Sequence, residues 1–258
     1  MRLALIPPLS LLEYTDETDM QLMLPHLVLN GAYDYTYRAH CNDPNQFVIL
    51  DNGAAEGEET DPLSLIRIAA DYGVDELVIP DAIKDMDETC ERAQDFFQFT
   101  RHTSQTLPRL MFVIQGKTIE EFVESAAWAQ GTKKIDTIGI PRHAIETCDD
   151  LEARIKLAEF LWSHSRTPKP VHLLGGSHLH PTELEQYKWP ANVRSSDTSA
   201  PFNYAAAGLQ LRVGNEVRRP EHYFYMPAHR FHSRIVDKNV ELLVNWTNAH
   251  PVVRRRVI

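Results

Sequence analysis

The 258-residue chain reads as a (β/α)8 barrel. Three observations predict it. Short apolar runs rich in β-branched residues alternate with segments of helical period. Those helical segments run to about 10–15 residues, enough for right-handed crossovers between parallel strands. The total length matches the roughly 250 residues that such a barrel typically takes as one unit, which favours it over an open doubly wound sheet.

Phe47-Val48-Ile49-Leu50 is the first clear strand, and Asp51-Asn52-Gly53 is its turn signal. Asp61-Pro62 opens a helix to about Tyr72, with Asp as N-cap, Pro at the first helical position and Gly73 as C-cap. Leu65, Ile66, Ala69 and Ala70 form its apolar stripe. Glu76–Pro80 is the next strand, followed by a helix over about Asp87–Thr103. Leu110–Ile114 is a strand, and Thr118-Ile119-Glu120-Glu121 has the form of a capping box. Ile135–Ile140 is a strand and Asp149–His164 a helix. Val171–Leu174 is a strand ended by Gly175-Gly176, Pro181 to about Tyr187 a short helix, and Asn192–Ser196 a short strand. The last unit is irregular, with a hairpin expected over Gly208–Glu221 and a closing helix over Ser233–Ala249. No linker, repeat or low-complexity stretch divides the chain. One domain over residues 1–258 is expected, its basic part from 208 to 258 closing the barrel.

Composition narrows the function classes. At 43% hydrophobic and 24% charged the chain is neither disordered nor collagen-like. No apolar run approaches the roughly 18 residues of a membrane span. Met1–Ile6 meets Pro7-Pro8 before a signal-peptide core could form, and three scattered cysteines favour a reducing cytoplasm. The net charge of −10 argues against indiscriminate coating of nucleic acid. Its distribution is uneven: residues 194–258 carry 10 Lys+Arg against 5 Asp+Glu, including Arg254-Arg255-Arg256, which leaves room for one face that meets a polyanion.

No G-x-G-x-x-G, G-x-x-x-x-G-K-[ST] or G-x-S-x-G segment occurs, so no nucleotide cofactor is expected. His178-Leu179-His180 and His229-Arg230-Phe231-His232 lack the context of metal ligands, so no metal is expected either.

In barrels of this kind chemistry sits where the C-terminal strand ends converge. Those positions hold Asp51-Asn52-Gly53, Asp81, Gln115-Gly116, Gly139-Ile140-Pro141-Arg142, Gly175-Gly176 and Asp197. One Asp after a strand is as often a cap or turn residue. Three at three strand ends suggest an acid/base or nucleophile pair.

From Phe47 to Ala206 these segments resemble the tRNA-guanine transglycosylase superfamily, whose (β/α)8 barrel exchanges guanine for a 7-deazaguanine. Leu50-Asp51-Asn52-Gly53 is similar to its Asp-Ser-Gly segment with the general acid/base, and Val78-Ile79-Pro80-Asp81 to the segment with the base-reading Asp. Phe112–Gly116 is similar to its Val-Gln-Gly strand and Ile138-Gly139-Ile140 to its Gly-Gly-Leu segment. His172–Gly175 resembles its Leu-Met-Gly strand end, and Asp197 falls where it places the nucleophile. The resemblance therefore implies Asp197 as nucleophile and Asp51 as acid/base. It implies a base pocket of Asp81, Gln115, Asn52, Leu174, Gly175 and the backbone of Gly139 and Ile140. Arg142, Arg194, Arg212, Arg218 and Arg219 are candidates for phosphate contacts.

Two departures refine this. No cysteine follows Cys148, so the zinc site of the tRNA-modifying members is missing, and Ala55 stands where they stack a Tyr on the base. The chain thus resembles the phage-type enzymes that insert 7-deazaguanines (preQ0 or preQ1) into DNA. That implies DNA and a free 7-deazaguanine as partners, the host cytoplasm as location if phage-encoded, and no membrane. A homodimer or a partner protein is also compatible with the family. The alternatives are a zinc-independent enzyme acting on tRNA, a non-catalytic barrel that positions nucleic acid, and an unrelated two-carboxylate sugar hydrolase.

Overall fold

A computed structural model describes residues 1–101, 106–212 and 216–247. Eight parallel strands close into one barrel in chain order: β1 (Arg2–Leu5), β2 (Met20–Met23), β3 (Phe47–Leu50), β4 (Glu76–Val78), β5 (Arg109–Val113), β6 (Thr137–Pro141), β7 (Val171–Leu174) and β8 (Val193–Thr198). Closure comes from β8 beside β1, with Ala4 opposite Asp197 and Leu5 opposite Thr198. The helices are α1 (Gly31–Asn42), α2 (Pro62–Tyr72), α3 (Met86–Thr100), α4 (Ile119–Gly131), α5 (His143–Cys148), α6 (Ala153–Ser163), α7 (Glu183–Gln186), α8 (Ala200–Ala206) and α9 (Ser233–Thr247). No helix among the described residues is long and apolar enough to cross a membrane.

The caps explain the element ends. Asp61 accepts from the Ser64 N–H at 3.0 Å, and Gly73 ends α2 at φ +72°, a conformation that a Cβ disfavours. Thr118 accepts from the Glu121 N–H, but the Glu121 carboxylate accepts from the Lys117 N–H, one residue before the position a closed capping box requires. Asn30 caps α1 by accepting from Ala32 and Tyr33.

Several expectations are corrected. β1 and β2 carry no strand signal in sequence: Leu, Ala and Met favour helices, and only pairing on both sides makes these runs strands. The helix expected from Asp149 begins at Ala153, because Asp149 itself ends α5 in the left-handed region at φ +49°. Strand β8 runs two residues beyond Ser196 and takes in Asp197. No strand occurs over the described residues of Gly208–Glu221, so the hairpin is absent there, and residues 213–215 lie outside the described set. Helix α9 starts at Ser233 as expected, and its expected end at Ala249, like Arg254-Arg255-Arg256, lies outside the described residues.

Candidate active site

The C-terminal strand ends converge on a cavity of about 250 Å³. β3 delivers Asp51 and Asn52, β4 Asp81, β5 Gln115, β7 Leu174 and Gly175, and β8 Asp197. The backbones of Asp51 and Asp197 are held in the sheet: the Asp51 N–H donates to Met23 O at 2.9 Å, and Asp197 pairs with Ala4. Side chains carried on such ladders are placed more rigidly than side chains on loops. β1 and β2 lie between β8 and β3 in the ring, so the two carboxylates reach the cavity from separate parts of its rim.

Their surroundings differ. Asp197 Oδ1 accepts from the Gly175 N–H at 3.0 Å and lies 3.0 Å from His172 Nε2. Both contacts fall on one oxygen, which leaves Oδ2 for a ligand. Asp51 accepts a single longer bond, from the Gly53 N–H at 3.2 Å. Burial, helped by the charges of Asp81, Asp197 and Glu56, outweighs that bond and pushes its pKa up to about 7. Gly53 itself sits at φ +85°, and a Cβ there would run into the Glu58 carbonyl oxygen, so this turn requires glycine.

Asp81 anchors a third cluster. It accepts from Asn52 Nδ2 at 2.7 Å and from Gln115 Nε2 at 2.5 Å, while Gln115 Oε1 accepts from the Lys84 N–H at 2.9 Å. Burial raises the Asp81 pKa against the opposing effects of Asn52, Gln115 and Arg92. The Gln115 amide keeps a second N–H, and each Asp81 oxygen keeps a lone pair, so the cluster can bind a ligand without coming apart.

The expected arginines divide. Arg142 and Arg219 line the cavity. A second, adjoining cavity of about 330 Å³ shares Arg142 and Arg219 with the first and adds Arg218. Arg219 is committed to Glu56, with one leg at 2.7 Å, and lies over Phe224. Arg142 and Arg218 are exposed, with no ion pair among the described residues. Arg212 is exposed and lines neither cavity.

Arg194 requires a correction. It is the second residue of β8, roughly 10 Å along the strand before Asp197 at the usual rise, and so belongs to the opposite rim. There it pairs with Glu76 at the start of β4 and lies over Phe47. Gly139 and Ile140 are corrected as well, since neither lines the cavity. The Gly139 carbonyl accepts from the Ile114 N–H at 3.0 Å, and a Cβ there would stand 2.6 Å from Leu174 Cδ1. Glycine is needed at 139 to admit the Leu174 side chain, and the Ile140 carbonyl accepts from Nη2 of the buried Arg154 at 3.4 Å.

Other residues emerge only in the structure. His172, wholly buried, backs Asp197. Arg154 and Glu183 form a buried ion pair at 2.5 Å. His143 lines the cavity, and burial together with Lys84, Arg142 and Arg154 lowers its pKa to about 4, so it is neutral near pH 7. A sequence signal for Arg154 existed: it lies on the apolar face of α6, in line with Leu157, Ala158 and Leu161. His178 pairs with Glu146 at 3.4 Å and His180 contacts the Tyr187 hydroxyl at 3.1 Å.

No protein-family model matches the chain, and no curated protein matches it. Among solved structures it is similar to a mutant of Saccharomyces cerevisiae Gas2p in complex with laminaritetraose and laminaripentaose, with 11% identity and a TM-score of 0.48 over 96% of this chain. The chain spans 61% of the length of that structure, a likeness too distant to bear on what the cavity binds.

Proposed function

We propose that the protein exchanges guanine in DNA for a 7-deazaguanine base, such as preQ0 or preQ1, through a glycosyl–aspartyl intermediate. The observation that carries this reading is the inequality of two carboxylates on one cavity. Asp197 is braced on one oxygen by the Gly175 N–H and the His172 ring, whereas the pKa of Asp51 is held near neutrality. A pair whose environments separate in this way divides into nucleophile and acid/base.

Asp197 Oδ2 attacks C1′ of the target nucleotide while the C1′–N9 bond breaks. Its electron pair leaves with guanine, which takes the Asp51 proton. The incoming base then gives its N9 proton to the Asp51 carboxylate and forms its own bond to C1′, and Asp197 departs. Two displacements return the original anomer. The Asp81 carboxylate suits the N1–H and exocyclic N–H donors of guanine, and the remaining Gln115 N–H suits its carbonyl. Adenine presents the opposite pattern and would leave these buried groups unpaired. The nucleotide must be flipped out or single-stranded to enter.

Base exchange on DNA and on tRNA, with labelled guanine, preQ0 and preQ1, followed by nucleoside digestion, tests this reading. Incorporation into DNA is expected. Incorporation into tRNA alone reassigns the substrate, and the absence of exchange and adduct with both removes the reading.

Arg142 and Arg218, exposed beside the cavity, suit the phosphates flanking the flipped nucleotide. Replacing both with Ala should make the plot of log affinity against log salt shallower by about 1 to 2, near 0.9 for each lost contact. Fluorescence anisotropy with a labelled oligonucleotide at several salt concentrations measures it, and an unchanged slope takes both residues out of the interface.

A further inference from the structure

Behind Asp197 lies a buried polar chain that the exchange steps leave unused. On β7, His172 Nε2 is 3.0 Å from Asp197 Oδ1 and His172 Nδ1 is 2.8 Å from Ser195 Oγ. Ser195 and Asp197 are two residues apart on β8 and so share a face, and Ser195 is the register partner of His172. On the other flank, the Gly175 N–H donates to the same Oδ1, and the Gly175 carbonyl accepts from Arg154 Nη1 at 2.8 Å. Arg154 in turn is paired with the buried Glu183. Such groups are costly inside a barrel, where aliphatic packing would serve stability as well. Here they converge on one oxygen of one carboxylate at the cavity wall.

We infer that His172 is a positioning residue for Asp197. With Gly175 it occupies Oδ1, presents Oδ2 to C1′, and stabilises the charge that returns to the carboxylate when the ester breaks. This rests on the exchange reaction proposed above. An ionised carboxylate only accepts, so Nε2 donates to Asp197, while the Ser195 hydroxyl against Nδ1 holds the plane of the ring. In the first step the Oδ2–C1′ bond forms as C1′–N9 breaks, and Oδ1 becomes the weaker acceptor of an ester carbonyl. In the second, base N9 bonds to C1′ and the Oδ2–C1′ pair returns to Asp197. Two N–H donors on Oδ1 favour carboxylate over ester, and therefore speed breakdown of the adduct more than its formation. Their loss makes the ester accumulate.

The readout is the steady-state fraction of covalent enzyme–DNA adduct on denaturing gels, beside kcat and KM, in the full chain. His172→Phe keeps a ring and removes both nitrogens. Its kcat should fall on the order of 100-fold, the cost of a small misplacement of a reacting group, with KM for DNA nearly unchanged and the adduct fraction raised severalfold. His172→Gln, which restores a side-chain N–H, should recover much of the turnover. Ser195→Ala leaves the imidazole but removes the contact that holds its plane, and should raise the adduct fraction to a smaller degree. A folded Phe variant with the wild-type adduct fraction, or with adduct and turnover falling together, overturns the inference. Should that variant not fold, an unchanged Ser195→Ala does so. Wild-type protein that forms no adduct with DNA or tRNA defeats the exchange reading and this inference together. Adduct formation indifferent to His172 defeats the inference alone.

Discussion

Asp197→Asn should yield a folded protein that no longer captures DNA covalently and has lost exchange by on the order of 10⁴-fold or more, the scale seen when a nucleophile is deleted. The substitution is nearly isosteric. The Asn carbonyl oxygen can still accept from Gly175 and His172, as Asp197 Oδ1 does, and the pairing of β8 with β1 is a backbone matter. What changes is the second atom, an amide nitrogen with no lone pair to spend on C1′. One side effect has a definite sign. Asp197 is among the charges that hold the Asp51 pKa up, so its removal should bring that value down from about 7. Adduct gels and titration of Asp51 in both proteins measure the two effects. Retained capture by the Asn variant would leave Asp197 without the role of nucleophile.

Legibility followed the physics of the barrel. From β3 to β7, each strand is a largely apolar run followed closely by a polar residue or a glycine, and the topology gathers those ends. Alternation of strands and helices alone is enough to place Asp51, Asp81, Gln115 and Asp197 around one mouth, and they line one cavity. β1 and β2 were not legible, because runs such as Met20-Gln21-Leu22-Met23 become strands only through neighbours distant in sequence. Gly139 misleads for a related reason. A glycine at a strand end can admit a ligand or a side chain from the next strand, and only packing shows that it admits Leu174. Arg194 misleads because a residue early in a strand faces the rim opposite to one late in it, and the true length of β8 decides which is which. His172 and Arg154 sit inside apolar patterns as single polar exceptions. Such exceptions signal a buried partner but do not name it.

Asp51→Asn should remove both limbs of a bell-shaped pH profile and, above neutrality, stabilise the fold. Burial is the main cause of the rise from 3.8 to about 7. Near pH 7 the side chain is therefore populated both as the acid that guanine release requires and as the base that deprotonates the incoming ring. In the wild type, guanine release should slow as pH rises above about 7, where the proton is gone. Capture of the new base should slow below it, where the proton stays on. The Asn side chain can neither give nor take a proton, so exchange should fall by about 10²–10⁴-fold, the usual contribution of a positioned acid or base, at every pH. DNA binding should be nearly unchanged. Stability moves the other way. Because the folded-state pKa lies above the unfolded value, the stabilisation from protonated Asp51 is fully present below about pH 4 and is lost as pH rises through about 7. The Asn variant has no charge to bury, so its advantage over the wild type should be absent near pH 4. It should approach a few kcal/mol above pH 8, at about 1.4 kcal/mol for every tenfold difference in proton affinity between folded and unfolded chain. Urea unfolding of both proteins between pH 4 and 9 reads this difference. A gap that does not widen with pH would mean Asp51 ionises as easily in the fold as in water, and the division of labour between the two carboxylates would lose its physical basis.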